Sequence, residues 1–304
     1  MNLTLPRILT GLFCLIVLLG TVYLVQQTQL LQRFRLILLE WQTGAEEQSH
    51  ALRLGDYWAT IQGLPIAGID AEVSALTYDS DRKSLVGLTN QDPHLFELSL
   101  SGQLLRKLPL VGFSDPESIV YIRPNVYVIA DERKQRLIKI ELSDHTTVIE
   151  AAQAEHLTLA LDAGGNKGFE GLAYDAAGQR LFVAQERDPI QILEVRGFPF
   201  TPGQSAVQVT NDEARNKRLQ VRDLSGLQYS AKYDHLLVLS DQSQMVLELN
   251  TQNEPIGGLL LRQGLNGLTE NVPQAEGIAL DDAGRLYIVS EPNLFYRFEK
   301  KVAR

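Results

Sequence analysis

The sequence predicts an all-β domain behind an apolar N-terminal helix, and three observations carry that prediction. From about Asp56 onward, apolar residues alternate in short runs broken by Gly, Pro, Asn and Asp, the pattern of strands and tight turns. A unit of one small or acidic residue, an apolar strand, a turn and a second apolar strand recurs five times. Ahead of these units, Ile8 to Val25 is apolar apart from Thr10, Thr21, Tyr23 and two glycines.

That first segment is 18 residues long, close to the length of about 20 that crosses a hydrocarbon core. Arg7 precedes it, and no pair of small residues marks a cleavage site in Leu18 to Gln27, so an uncleaved signal-anchor is expected over residues 1–28. Arg7 and the α-amino group stand on one side and Arg33 and Arg35 on the other, which nearly balances the positive-inside count. An anchor with a short N-terminal tail usually exports the bulk of the chain. Residues 29–53 divide into Leu30 to Trp41, read either as a helix lying along the membrane surface or as a plain stalk, and the polar linker Thr43 to Ser49. Residues 54–304 form the β domain.

Composition narrows the partners. A net charge of −9 and the absence of a long basic run argue against nucleic acid. The five histidines lack metal-ligand spacing, and the single cysteine, Cys14, lies in the apolar segment, which excludes a Cys/His zinc site and an intrachain disulfide.

The five units align on Ser74, Glu117, Glu170, Ser225 and Glu276, at spacings of 43, 53, 55 and 51 residues. Repeats of that length with room for four strands indicate a β-propeller with one sheet per unit. In the second unit, residues 117–121, 125–130, 136–141 and 146–150 are the expected strands. The fifth unit has only three, and the orphan strand Asp56 to Ile61 can supply its outer strand, closing the ring without a free edge. Five blades are therefore expected; the alternative of six lacks spare sequence.

In a propeller the first strand of each blade lines the channel and the second returns beside it. The residue opening the first and the residue closing the second then share one mouth. These pairs are Ser74 and Asn90, Glu117 and Glu132, Glu170 and Glu186, Ser225 and Asp241, and Glu276 and Glu291. One acid at a strand end is an ordinary solvated turn residue, the role assigned here to Asp79, Asp175 and Asp281. Seven converging carboxylates would repel one another and raise each other's pKa, which a divalent cation relieves. Many hard oxygen donors in a flexible shell suit Ca2+. The candidate ligands are Glu117, Glu132, Glu170, Glu186, Asp241, Glu276 and Glu291, with Glu117, Glu170, Glu186 and Glu276 ranked first. Lys167, Arg133 and Arg187 either balance these charges or hold an anion such as phosphate.

The blocks DPESIVYI, NKGFEGLAYD, FVAQERDP, RDLSGLQY, LLVLSDQS and VPQAEGIAL…YIVSEPNLFYRF resemble the SdiA-regulated family, also called YjiK-like or CarP-like, over about Leu54 to Phe298. The resemblance implies a five-bladed propeller related to NHL-repeat and phytase-like propellers, anchored in the cell envelope and carrying calcium. On that basis the chain is expected in the inner membrane, single-pass, with the propeller in the periplasm. Blade one departs from the pattern, with Ala75 where the other strong blades have Gly and Ser74 where they have an acid or Ser. The expected function is a calcium-responsive binding or scaffold protein, its partner a protein on the propeller face or a phosphorylated small molecule. The alternative is a phytase-like phosphohydrolase, for which three cations are a thin set.

Overall fold

The structure, a computed structural model, describes residues 30–159, 168–199 and 206–301, together with 10, 13–15, 17–18 and 20. The expected membrane anchor therefore lies largely outside the described residues. Among those residues, no helix is long and apolar enough to cross a membrane.

Helix α1 (Leu30–Gln42) and the short α2 (Ala45–Ser49) lead into strand β1 (Tyr57–Pro65). Blade one follows as β2 (Val73–Asp79), β3 (Ser84–Thr89), β4 (His94–Leu98) and β5 (Leu104–Val111). Blade two contains β6 (Pro116–Arg123), β7 (Val126–Asp131) and β8 (Arg136–Glu141); β9 (Ile149–Glu150) and β10 (His156–Thr158) come next in the chain. Blade three is β11 (Phe169–Asp175), β12 (Arg180–Gln185), β13 (Gln191–Arg196) and β14 (Gln208–Asn211). After α3 (Glu213–Leu219), blade four is β15 (Gly226–Ser230), β16 (His235–Ser240), β17 (Met245–Leu249) and β18 (Pro255–Leu260). Blade five takes β19 (Ala275–Leu280), β20 (Leu286–Ser290) and β21 (Leu294–Lys300), and β1 pairs antiparallel with β21 as its outer strand. The five-bladed ring closes as the orphan strand implied.

The inner strands β2, β6, β11, β15 and β19 neighbour one another around the ring. They approach closely: a Cβ on Gly277 would stand 2.6 Å from the Leu76 backbone nitrogen of the next inner strand. Small residues at Ala75, Ser118, Gly171, Gly226 and Gly277 permit that approach.

The core is five wedges, one between each pair of adjacent blades. Strand β7 shows how one sequence serves two of them. Tyr127 and Ile129 point into the wedge shared with blade one, while Val126, Val128 and Ala130 point into that shared with blade three. With both faces buried, the middle strands read as unbroken apolar runs.

Three expectations need correction or refinement. Residues 146–150 are not the fourth strand of blade two: β9 pairs in parallel with β5 of blade one, and β10 covers β8 instead. Ile149 is the reason, because its buried side chain fills the wedge between blades one and two. Helix α3 was not visible as a 3.6-residue pattern, since it is a single short segment, EARNKRL, capped by Asp212, which accepts from the Arg215 N–H at 2.9 Å.

The third concerns Leu30 to Trp41. This stretch is helical and docks on the propeller, with Leu36 buried against blade four, where Gly258 leaves room. Arg35 donates to the last carbonyls of α3, Arg218, Leu219 and Gln220, at 3.0–3.1 Å, the partners those carbonyls lack within the helix. Phe34, Ile37 and Trp41, spaced along one side of α1, remain exposed at 60%, 54% and 83%.

Candidate metal centre

A β-bulge sets the first ring of side chains. In blades one, two, three and five the register slips by one residue at Ser74, Glu117, Glu170 and Glu276, leaving each as the extra residue at the start of its inner strand. Such a residue is re-aimed out of the pleat. Ser225 occupies the same position just ahead of β15.

A repeated backbone bond sets the second ring. Asn90, Glu132, Glu186 and Glu291 each donate their N–H to the carbonyl two residues before the bulge, on Glu72, Asp115, Gly168 and Gln274, at 2.8–3.3 Å. The opening and closing residues are thereby held at one mouth.

There they line a cavity of about 300 Å3 with Asn90, Ser225 and seven carboxylates: Glu117, Glu170, Glu186, Asp223, Asp241, Glu276 and Glu291. Six of the seven predicted ligands are in that lining. Glu132 stands beside it, accepting the Gly168 N–H at 2.8 Å, and one oxygen each of Asp115, Glu117 and Glu132 lie within 4.8 Å of one another. Asp115 and Asp223 were not foreseen. Both sit two residues before the bulge position, so the spacing D-x-E in DPE and D-x-S in DLS was the signal.

The two serines have other work. Ser74 Oγ donates to the Pro116 carbonyl and Ser225 Oγ to that of Ala275, each at 2.7 Å. Each ties its own blade to the residue before the glutamate of the next. Ser74 is not among the cavity-lining residues, and blade one contributes only Asn90, which donates to Glu117 at 3.2 Å.

The carboxylates differ in how far protein donors satisfy them. Asp241 accepts the Ala275 N–H at 3.1 Å, Glu291 accepts Gln274 at 2.9 Å, and Asp223 accepts Ser240 and the Gln242 N–H. Glu186 is paired with Arg187. Among the described residues, nothing donates to the carboxylates of Glu170 and Glu276, although both are only partly exposed.

Their electrostatics follow. Burial, then Glu186, Glu276, Glu117 and Glu132, push the Glu170 carboxyl up to about 11. Burial and the acids Asp115 and Glu132 push Glu117 to about 9, against the lowering effect of Asn90. Burial, followed by Glu291, Asp241 and Asp223, pushes Glu276 to about 8. Glu132, Asp241 and Glu291 are also raised, chiefly by burial. The arrangement is a bowl of hard oxygen donors in which Glu117, Glu170 and Glu276 hold protons near neutral pH where no cation is present to replace them.

The predicted anion-binding cations fare differently. Lys167 lies outside the described residues. Arg133 is exposed and paired with Asp115 at 3.0 Å, away from the cavity lining. Arg187 lines the cavity, the single cation among the described residues there. By contrast, the turn residues Asp79, Asp175 and Asp281 accept backbone N–H groups of their own hairpins and pair with Arg82, Arg180 and Arg285. Theirs is the turn role expected of them, but they are buried and not solvated, at 1%, 3% and 5% exposed.

Fold and mouth together define a five-bladed β-propeller with an acidic, oxygen-lined channel entrance. A family model described as SdiA-regulated matches residues 49–299, and the chain belongs to the SdiA-regulated family. Among solved structures, the chain is similar to one in a nidogen/laminin complex, with 15% identity, a TM-score of 0.47 and 72% of each chain covered. It is also similar to a luciferin-regenerating enzyme, with 12% identity, a TM-score of 0.47 and coverage of 79% of this chain and 95% of the other.

Proposed function

We propose that this protein is a calcium-binding propeller of the cell envelope, anchored in the inner membrane by residues 1–28, that acts as a calcium-responsive binding or scaffold protein in the periplasm. The observation that carries the metal reading is the pair Glu170 and Glu276, partly buried among like charges with no donor among the described residues. Glu117, Glu170, Glu186 and Glu276 would hold the ion, with Asp223, Asp241 and Glu291 completing the oxygen shell or its surroundings. Bound calcium would neutralise the mouth and fix the five inner strand ends relative to one another, presenting a defined face to a partner. Support for the anchor comes from the apolar run Ile8 to Val25 and from the exposed stripe Phe34, Ile37 and Trp41, suited to an interfacial position beside it. The phosphohydrolase reading is weaker, because Arg187 is the one cation lining the described mouth and is already paired with Glu186.

Two results are expected from calcium titration of the full chain. Calcium at about 100 times its Kd should stabilise the fold by about 2.7 kcal/mol, a rise in Tm of roughly 5–10 °C. Binding near pH 7 should also release protons, since carboxyls raised to about 8, 9 and 11 are protonated in the metal-free chain. Calorimetry in two buffers of different ionisation enthalpy reads that release; identical heats in both would contradict the assignment. Without metal, the raised carboxyls favour the folded state fully below their ordinary value of 4.5, and that contribution is lost as pH rises through about 8 to 11. Calcium should flatten this alkaline decline.

A further inference from the structure

The same five strands that open on the acidic mouth carry a second ring at their other end. Four residues beyond each bulge position stand Tyr78, Tyr121, Tyr174, Tyr229 and, in blade five, Leu280. At about 3.3 Å per residue this is about 13 Å farther along the channel. All five line a cavity of about 750 Å3, more than twice the volume of the acidic one and within the range of small-molecule sites. The tyrosines are partly exposed, so ring surface is available to a ligand.

The carboxylates and the arginine at this mouth are already paired. Asp282 pairs with Lys83 at 2.7 Å and accepts the Tyr78 hydroxyl at 3.1 Å; Asp281 pairs with Arg285 at 2.6 Å. The Tyr121 and Tyr229 hydroxyls donate to Asp81 and Asp234. Lys232 and Lys300 lie over the rings of Tyr233 and Tyr57 at 5.1 and 5.9 Å. A cationic ligand would have to displace one of these ion pairs. Ser230, 3% exposed, lines the cavity and its Oγ has no hydrogen-bond partner. A buried hydroxyl without a partner is costly, and a ligand hydroxyl can satisfy it.

We propose that this tyrosine-ringed cavity binds an uncharged, hydroxyl-bearing ring molecule of one or two sugar units, its ring faces against the tyrosines and a hydroxyl on Ser230. Aromatic walls with a few neutral polar atoms suit such a ligand, since its C–H faces are apolar and its edges form hydrogen bonds. The site is separate from the acidic mouth and needs no metal.

The test is saturation-transfer NMR on the full chain in lipid nanodiscs with excess EDTA, using maltose, cellobiose and N-acetylglucosamine as probes and choline and glucose 6-phosphate as charged controls. At least one neutral sugar should receive saturation, more strongly than either control. Ser230→Ala should weaken that binding about threefold to tenfold without lowering Tm, because the hydroxyl makes no internal bond. Tyr174→Ala, with its fold checked by circular dichroism, should weaken it further. No transfer to any of the three sugars overturns the proposal, as does stronger transfer to a charged control or binding unchanged in both variants. Because EDTA is present throughout, failure here leaves the calcium reading untouched, and loss of the calcium reading leaves this one standing.

Discussion

Glu170→Gln is expected to abolish the calcium-dependent rise in Tm while leaving the metal-free protein as stable as the wild type or more so near neutral pH. Glu170 is the carboxylate on which Glu186, Glu276, Glu117 and Glu132 all act, and no group among the described residues donates to it. In the metal-free chain it is protonated at neutral pH, so a neutral amide of the same shape replaces it with little cost. In the calcium-bound chain the same change removes a charged oxygen donor from the middle of the shell. The expected loss is most of the roughly 5–10 °C calcium shift. Thermal unfolding with and without calcium reads both effects. Asp79→Asn, at a hairpin turn outside the acidic lining, should keep the full calcium shift. A Glu170→Gln protein that retains the shift would place the metal elsewhere.

Arg215→Ala should produce the largest loss of stability without touching either mouth. Arg215 is fully buried in α3, pairs with Glu194 at 2.7 Å, donates to the Ile192 carbonyl and lies 6.0 Å from the centre of the Phe182 ring. Removing it leaves Glu194 with Arg180 at 3.5 Å and detaches the helix from β13. Breaking a buried ion pair by removing one partner costs about 3–5 kcal/mol, and the surviving Arg180 contact favours the lower end. A fall in Tm of roughly 6–12 °C is expected. Lys217→Ala on the same helix, where the pair with Glu213 is exposed, should change stability by less than about 0.5 kcal/mol. Equal effects from the two substitutions would show that α3 is not held by its buried arginine.

Much of this architecture was legible because a propeller repeats. A blade that recurs gives its equivalent positions by alignment alone, and Glu117, Glu170 and Glu276 emerge as one ring without any knowledge of distance. The strand that closes the ring was legible by shortage, since the last repeat lacked a fourth strand and DYWATI had no other place. What the repeats did not reveal were the departures from them. Residues 146–150 looked like a fourth strand because Val148 and Ile149 are β-formers, yet Ile149 fills the wedge between blades one and two and its strand pairs with β5 of blade one. Asp115 and Asp223 were hidden because their equivalents elsewhere are Glu72, Gly168 and Gln274, a position without a shared chemistry. The tyrosines were passed over for the opposite reason. An aromatic at the end of an inner strand is ordinary core material until four occur in register around one cavity.

The pairing of β1 with β21 also sets an order of events during synthesis. Tyr57 leaves the ribosome long before Lys300, its partner at the end of the ladder, has been made. Until then Tyr57 and Ala59 of β1 lack the blade-four and blade-five residues they pack among, and only Ile61 can meet early neighbours, those of blade one. Domains generally fold as units as they emerge, but this ring cannot be completed while its last strand is still inside the ribosome. Its earliest strand must wait unpaired for β21, and closure of the ring is a late event in folding.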